Sequence, residues 1–332
     1  MDRTQEAPNI NVGPRSSIMV VMKVKISLSV FFVLIQNLVI AQSQLDTLQL
    51  LNDLKTLSAD SMQGRKSCTA GSRKAQRYIL AAFKENNLRA FDESFKQIFS
   101  FSTRGTKCDS AANLIGYFPG AMSSYCLVLS AHYDHLGVVN GQIYPGADDN
   151  ASGVAALLAI MDYFSRQQPR HTLIFTVFDG EESGLLGARA FVNNLPVDGK
   201  KIALNINLDM VSRNDRNELY VAGAYHYPFL KPYLEKIAAT GTVKLRLGHD
   251  RGENSTANWT DASDHAPFHE MGIPFAYFGV ENHRDYHRPT DVFAGINPKF
   301  FINAATTILA AVLAFDGHLE EIVNAKNPAS GN

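Results

Sequence analysis

Seven side chains able to bind a cation or carry a proton fall where apolar runs stop. His132 and Asp134 follow YCLVLSA, Asp149 lies in GADDNASG, Glu181 and Glu182 follow LIFTVF, Asp209 follows IALNINL, and His287 sits in DYHRPTD. If these ends converge, so many carboxylates cannot all stay ionised in a partly buried cleft without a strong counter-charge, because each raises the pKa of its neighbours. A metal site supplies that charge. Imidazole mixed with carboxylate suits zinc, whereas an all-oxygen set would suit magnesium or calcium. In an extended strand His132 and Asp134 point the same way, so one can bind metal while the other orients its ring from behind. The acids of GADDNASG are open to a plainer reading as helix caps. Capping does not account for the adjacent pair Glu181 and Glu182. Neighbouring acids leave a turn in different directions, so one can ligate while the other moves protons, the division of labour that hydrolysis at a metal requires.

The elements that must position these groups alternate in type. Leucines 45, 48, 51 and 54 recur at helical spacing, and a second helix is predicted over 73–87 with Ser72 as its cap. Met62-Gln-Gly-Arg-Lys between them is a loop. Strands are predicted over 95–102, 113–117, 125–131, 173–178 and in IALNINL and PFAYFGV. Helices are predicted over 151–165 with Asn150 capping, 184–193, 228–239, and from Asn297-Pro298 to about 315. The aperiodic stretch 248–263 reads as a loop, either facing substrate or simply crossing the surface. This pattern predicts an α/β fold, one domain with a mostly parallel mixed central sheet between helical layers, spanning 44–320, with a polar disordered tail over 321–332. Such sheets build their sites beyond the carboxyl ends of their strands.

A chain of 332 residues, 45% hydrophobic and 19% charged, is long enough for one large domain. Its formal net charge of −1 gives no support to nucleic acid or an anionic membrane surface as partner. The region 1–41 reads as an export signal. Met22-Lys-Val-Lys25 is its basic start, ISLSVFFVLIQNLVI its apolar core and Ala41 its cleavage position, with translation expected to begin at Met19 or Met22. The expected location is therefore extracytoplasmic, periplasmic or secreted, with no stable membrane association after cleavage. Three cysteines make no disulfide framework. Cys126 is expected to be a buried hydrophobe, and Cys68 and Cys108 lie in polar segments where export would permit them to pair.

HYDHLG, GADDNASG, FDGEESGLLGARAF, NLDMVSR, SDHAPF and DYHRPTD, taken in order, resemble the co-catalytic di-zinc aminopeptidase family, whose relatives include glutaminyl cyclases, glutamate carboxypeptidases and the transferrin receptor. MQGRK followed by Gly71-Ser-Arg-Lys is similar to the N-terminal segment of secreted bacterial members, although Ser67-Cys68-Thr69 stands where the family commonly has Thr-Gly-Thr. The resemblance implies two Zn²⁺ ions per chain and a peptide substrate. Asp149 would bridge, His132 and Asp209 would complete one site, and Glu182 and His287 the other. Glu181 would be the general base, with Asp134 behind His132. Three carboxylates and one hydroxide would neutralise two dications. The implied activity is removal of N-terminal residues. A one-zinc glutaminyl cyclase, a carboxypeptidase or dipeptidase of the same fold, and a binding domain without activity are the rival readings. Cyclases depart from the Asp-Asp-Asn-Ala-Ser-Gly loop present here, and a binding domain would be expected to have lost ligands. Asp264 and His265 match an element near the site with no assigned role. His135, His171, His226, His249, His269 and His283 are expected to be surface or structural.

Overall fold

The computed structural model describes residues 45–103, 106–251 and 257–326. The expected export signal lies outside them. Helix α1 (Thr47–Leu57) is capped by Asp46, whose carboxylate accepts from Leu48 N and Gln49 N. Helix α2 (Ala70–Glu85) begins three residues before its predicted start. Thr69, rather than Ser72, is the cap, and Ser72 is buried as the N–H donor to the Thr69 hydroxyl.

Strands β1 (Lys96–Thr103), β2 (Thr106–Phe118), β3 (Met122–His132), β6 (His171–Phe178), β7 (Ile202–Leu208), β8 (Glu218–Ala222), β9 (Lys244–Leu247) and β10 (Phe275–Gly279) form one sheet in the order β1-β2-β6-β3-β7-β10-β8-β9. The central four, β6, β3, β7 and β10, are mutually parallel, and antiparallel pairing at β1, β2 and β8 makes the sheet mixed. A separate hairpin, β4 (Gly137–Val139) with β5 (Gln142–Tyr144), follows the end of β3.

Alternation along the central strands divides the core between the two faces of the sheet. Leu127, Leu129, Ala131, Leu173, Phe175 and Val177 point into the larger layer, where α3 (Gly153–Arg166), α5 (Lys231–Thr240) and α7 (Pro298–Gly317) pack. Cys126, Val128, Ile174 and Phe178 point the other way, onto α4 (Leu186–Asn193) and the short α6 (Ala266–Glu270). Phe300, Phe301 and Phe315 of α7 are almost wholly buried. Each such ring contributes about 1.5–3 kcal/mol by leaving water.

Two expectations are corrected. The chain does not become an unstructured tail after residue 320, because Leu319–Lys326 forms helix α8. Its Leu319, Ile322 and Val323 recur at helical spacing and are buried against the larger core. The predicted loop at Met62 begins as a short helical turn from Asp60 that breaks at Gln63 and Gly64, and the arginine that follows is fully buried. Cys68 and Cys108 are joined by a disulfide, and Cys126 is buried and free.

Candidate metal centre and active site

Because β3, β6, β7 and β10 run parallel, their carboxyl ends lie along one edge, and pairing sets their heights. His132 is level with Phe178, and Leu208 with Phe278, so Asp179-Gly-Glu181-Glu182, Asp209 and the loop after β10 emerge together. Gly180, at φ 74°, turns the chain after β6 so that Glu181 and Glu182 diverge. Asp149 comes from the turn Ala147–Ser152 that opens α3. The expected Asn150 cap is present there, with its Oδ1 accepting from Gly153 N at 2.9 Å and its Nδ2 reaching Leu208 O at 2.9 Å, which ties the turn to the end of β7.

All seven predicted residues meet at this edge. His132 Nε2 lies 3.3 Å from Asp209 Oδ1, 3.5 Å from Asp149 Oδ1 and 4.0 Å from Glu181 Oε2. On the other side of Asp149, Oδ2 is 3.0 Å from His287 Nε2, which is itself 3.4 Å from Glu182 Oε2. Asp149 thus presents one oxygen to each group.

His135 belongs here too, and sequence reasoning missed it. Buried at the back of the second group, its Nδ1 approaches Glu182 Oε1 to 2.6 Å and Asp149 Oδ2 to 3.7 Å. The available signal was its position three residues after His132, where the chain turns at the strand end.

The donor set fits a metal. His132, Glu181 and Asp209 form one cluster able to hold an ion, and His135, Asp149 and Glu182 another. Both His135 nitrogens, Glu182 Oε1 and Asp209 Oδ1 are buried without a hydrogen bond, even though His135 and Glu182 are in close approach. Buried polar atoms are almost always partnered, so lone pairs that converge without bonding call for a cation between them.

The charges are strained accordingly. Burial raises the Glu181 carboxyl well above its usual value, opposed by His132 and reinforced by Asp209, Asp264 and Glu182. Burial alone would lower the His132 imidazole, but Asp209, Glu181 and Asp149 lift it well above normal. His135 goes the other way, depressed to about 3 by burial, and so keeps a free lone pair at neutral pH.

Asp134 plays a different part from the one expected. Its carboxylate is 3.8 Å from His132 Nδ1, and that nitrogen instead meets the Asp134 main-chain carbonyl at 3.1 Å. The carboxylate accepts from the backbone N–H groups of Glu181 at 3.0 Å and Glu182 at 3.4 Å, so it fixes the acidic turn rather than the ring. Past the strand end the two-residue alternation that would have aligned them no longer holds. The buried Asp148 carboxylate takes hydrogen bonds from Ser212 and Ser152 and meets His283 Nε2 at 3.2 Å, while Asp291 accepts from Asp148 N and Asp149 N. Asp264 is fully buried with neither oxygen partnered, and His265 stacks on Tyr277 with centroids 4.4 Å apart.

The centre opens into a cleft of about 500 Å³ lined by Leu185, Met210, Trp259, Tyr277, Val280 and Tyr286 among others. Trp259 comes from the aperiodic stretch, and with Asn258 and Ala262 it brings the end of that stretch to the site. The ring of Tyr286 stacks on His287 with centroids 3.9 Å apart. Burial, then Asp149, Asp209, Glu182 and Glu181, raise its phenol pKa, which keeps the hydroxyl protonated beside the cluster.

The profile of Peptidase family M28 matches residues 113–312. The chain belongs to this family. A probable leucine aminopeptidase of Trichophyton verrucosum is 26% identical over 287 residues, which are 78% of this chain and 69% of that protein. Aminopeptidase YwaD of Bacillus subtilis is 31% identical over 196 residues, 55% of this chain but 40% of the relative. The glutaminyl cyclase of Porphyromonas gingivalis shares the fold at a TM-score of 0.67 and 20% identity, covering 81% of this chain and 98% of that one. The M28 match spans β3 through most of α7, and so every residue of the centre.

Proposed function

We propose that this M28 protein is a zinc-dependent exopeptidase, an aminopeptidase that cleaves the N-terminal peptide bond of peptides and holds two zinc ions per chain. The observation that carries the reading is the set of buried donor atoms left without hydrogen bonds on either side of Asp149. His132 and Asp209 would hold one ion, Glu182 and His287 the other with His135 behind them, and Asp149 would serve both. The ions, when bound, supply charge that acidifies water and polarises the scissile carbonyl.

The chain does the rest. Glu181 stands farther from His132 than Asp149 and Asp209 do, at 4.0 Å against 3.5 and 3.3 Å, and its raised pKa suits a general base that accepts the proton of the attacking water and passes it to the leaving amine. Asp134 holds the backbone of Glu181 and so aims its carboxylate. Tyr286 lines the cleft with a protonated hydroxyl, and we infer that it would donate to the carbonyl oxygen as negative charge develops there. Met210, Trp259, Tyr277 and Val280 would take the side chain of the N-terminal residue. We further infer export, supported by the disulfide between Cys68 and Cys108, a bond that persists in oxidising compartments.

Hydrolysis of a panel of aminoacyl and N-blocked peptides, with zinc quantified, tests the reading. Cleavage restricted to free amino termini, with two zinc ions per chain, is expected. Equal cleavage of blocked peptides would overturn aminopeptidase action and leave a carboxypeptidase or dipeptidase. Ring closure of N-terminal glutamine by a one-zinc protein would point to the cyclase reading, after the Porphyromonas gingivalis glutaminyl cyclase that shares the fold.

A further inference from the structure

Every hydrogen bond that the buried Arg65 makes among the described residues goes to a main-chain carbonyl. Among the described residues Arg65 is the bulkiest fully buried side chain. Its Nε donates to Tyr133 O at 2.8 Å, Nη1 to Leu57 O at 2.7 Å and to Pro145 O at 2.6 Å, and Nη2 to Gly146 O at 2.9 Å. Tyr133 lies between His132 and Asp134, and Gly146 is three residues before Asp149. One rigid fork therefore grips both the segment that carries His132 and the segment that leads to Asp149.

The turn that delivers Arg65 is held in an unfavourable conformation. Gln63, Arg65 and Cys68 all have φ between 52° and 62°, a region that non-glycine residues enter only when their surroundings over-determine it. Gly64, at φ 61°, presses so closely on the β4–β5 hairpin that an added Cβ would lie 2.3 Å from Tyr144 O and 2.7 Å from Gly137 O. At Gly146 an added Cβ would lie 2.1 Å from Asp149 O and 2.6 Å from the His135 ring, so the carbonyl that Arg65 holds belongs to a segment with no room to move.

We propose that Arg65 is a positioning residue for the metal centre: by binding the carbonyls of Tyr133, Pro145 and Gly146 it fixes His132 at the end of β3 relative to Asp149 in the following loop. The proposal rests on the metal reading above. Asp149, Asp291, Asp134 and Glu182 all lie within electrostatic reach, and the guanidinium stays charged at neutral pH although burial lowers its pKa to about 10. That charge gives the proposal a sign. A buried cation repels two incoming dications, so on electrostatics alone its removal should tighten zinc binding. As a clamp its removal should loosen it. Lysine cannot replace the fork, because a single ammonium cannot reach four carbonyls splayed across a planar arrangement.

The test is zinc affinity, read by competition with a chromogenic chelator, for the wild type, Arg65→Lys, Arg65→Gln and Leu234→Ala. Leu234→Ala truncates a buried residue of α5 and serves as a comparison for general loss of stability. Melting temperature is measured alongside. We expect both Arg65 variants to bind zinc about 10–100-fold more weakly, as for other residues behind metal ligands, with Leu234→Ala at wild-type affinity. Gly64→Ala keeps the guanidinium but shifts the turn that carries it. It should weaken zinc in the same direction, and it decides the matter if the Arg65 variants do not fold. Zinc binding by Arg65→Lys or Gly64→Ala equal to or tighter than that of a two-zinc wild type would overturn the proposal, as would an equal loss in Leu234→Ala. A wild type that binds no zinc would instead overturn the metal reading itself.

Discussion

The two halves of the candidate metal centre are built in different ways. His132 and Asp209 stand at the ends of β3 and β7, and their side chains are 1% and 10% exposed. Their positions follow from strand pairing, which has one register once the hydrophobic faces are buried. Glu182 and His287 stand on turns, with side chains 11% and 38% exposed. His287 sits at φ 52° in the loop after β10, and its ring leans on Tyr286. The inner half is held by the sheet. The outer half depends on contacts such as those of Asp134 with the Glu181-Glu182 turn, and on His135 behind it. Rigidity belongs to the side that fixes charge, and access to the side that meets solvent.

The sharpest break in this comparison falls between adjacent residues. Glu181 lies with the inner group and Glu182 with the outer one, and the proposed mechanism makes the first a base and the second a ligand. Glu181→Gln is expected to retain both zinc ions and near-normal stability while turnover falls about 10²–10⁴-fold, the contribution of a positioned base. Glu182→Gln should lower zinc content toward one per chain. Zinc stoichiometry and turnover measured on both variants check this, and a Glu181→Gln protein that loses metal but works in restored zinc would reverse the assignment. Asp149→Asn removes the one carboxylate common to both halves, so elemental analysis should show occupancy falling at both rather than at one.

The halves should also separate kinetically. Stopped-flow removal of zinc by a chelator is expected to be biphasic, with the first ion leaving from the half that includes the exposed His287. His287→Ala should abolish the fast phase and leave the slow one. A single phase in the wild type would mean that the two halves open together.

The smallest expected effect concerns pH. Burial raises Asp264 and Asp291 to about 7 in the protein without metal. A carboxyl whose folded pKa exceeds its unfolded value gives stability that is fully present below the unfolded pKa and lost as pH rises through the folded one. His135 and His265, depressed to about 3 and about 4, act in the opposite sense, but only below the ordinary histidine value. Between pH 6.5 and 7.5 the depressed histidines no longer act, while these carboxyls and the raised imidazoles of His132 and His287 all lose their stabilising protons, so metal-free protein should lose stability as pH rises. The zinc-loaded protein should gain it as ligand protons leave. Denaturant midpoints of the two forms across this window check the opposing slopes.

Much of this was legible in one dimension. The α/β alternation, the strands IALNINL and LIFTVF and the seven predicted site residues are local signals, because a strand buried on both faces must be continuously apolar and its polar successor must mark the end. The helix at 319–326 was hidden by its charged residues, since only packing shows that three apolar positions suffice. Which groups face one another was not a local property. Asp134 turned from the His132 ring to the Glu181 backbone because the strand ends there, and His135 entered the centre because the turn after it is folded back by the β4–β5 hairpin. Arg65, read as part of a loop, grips carbonyls up to 81 residues away. The sequence by itself determined which chemistry is available and roughly where strands deliver it, since residue type and periodicity are properties of the chain. Only the tertiary structure decided which oxygen faces which nitrogen, because sheet register and buried hydrogen bonds join residues that the chain keeps far apart.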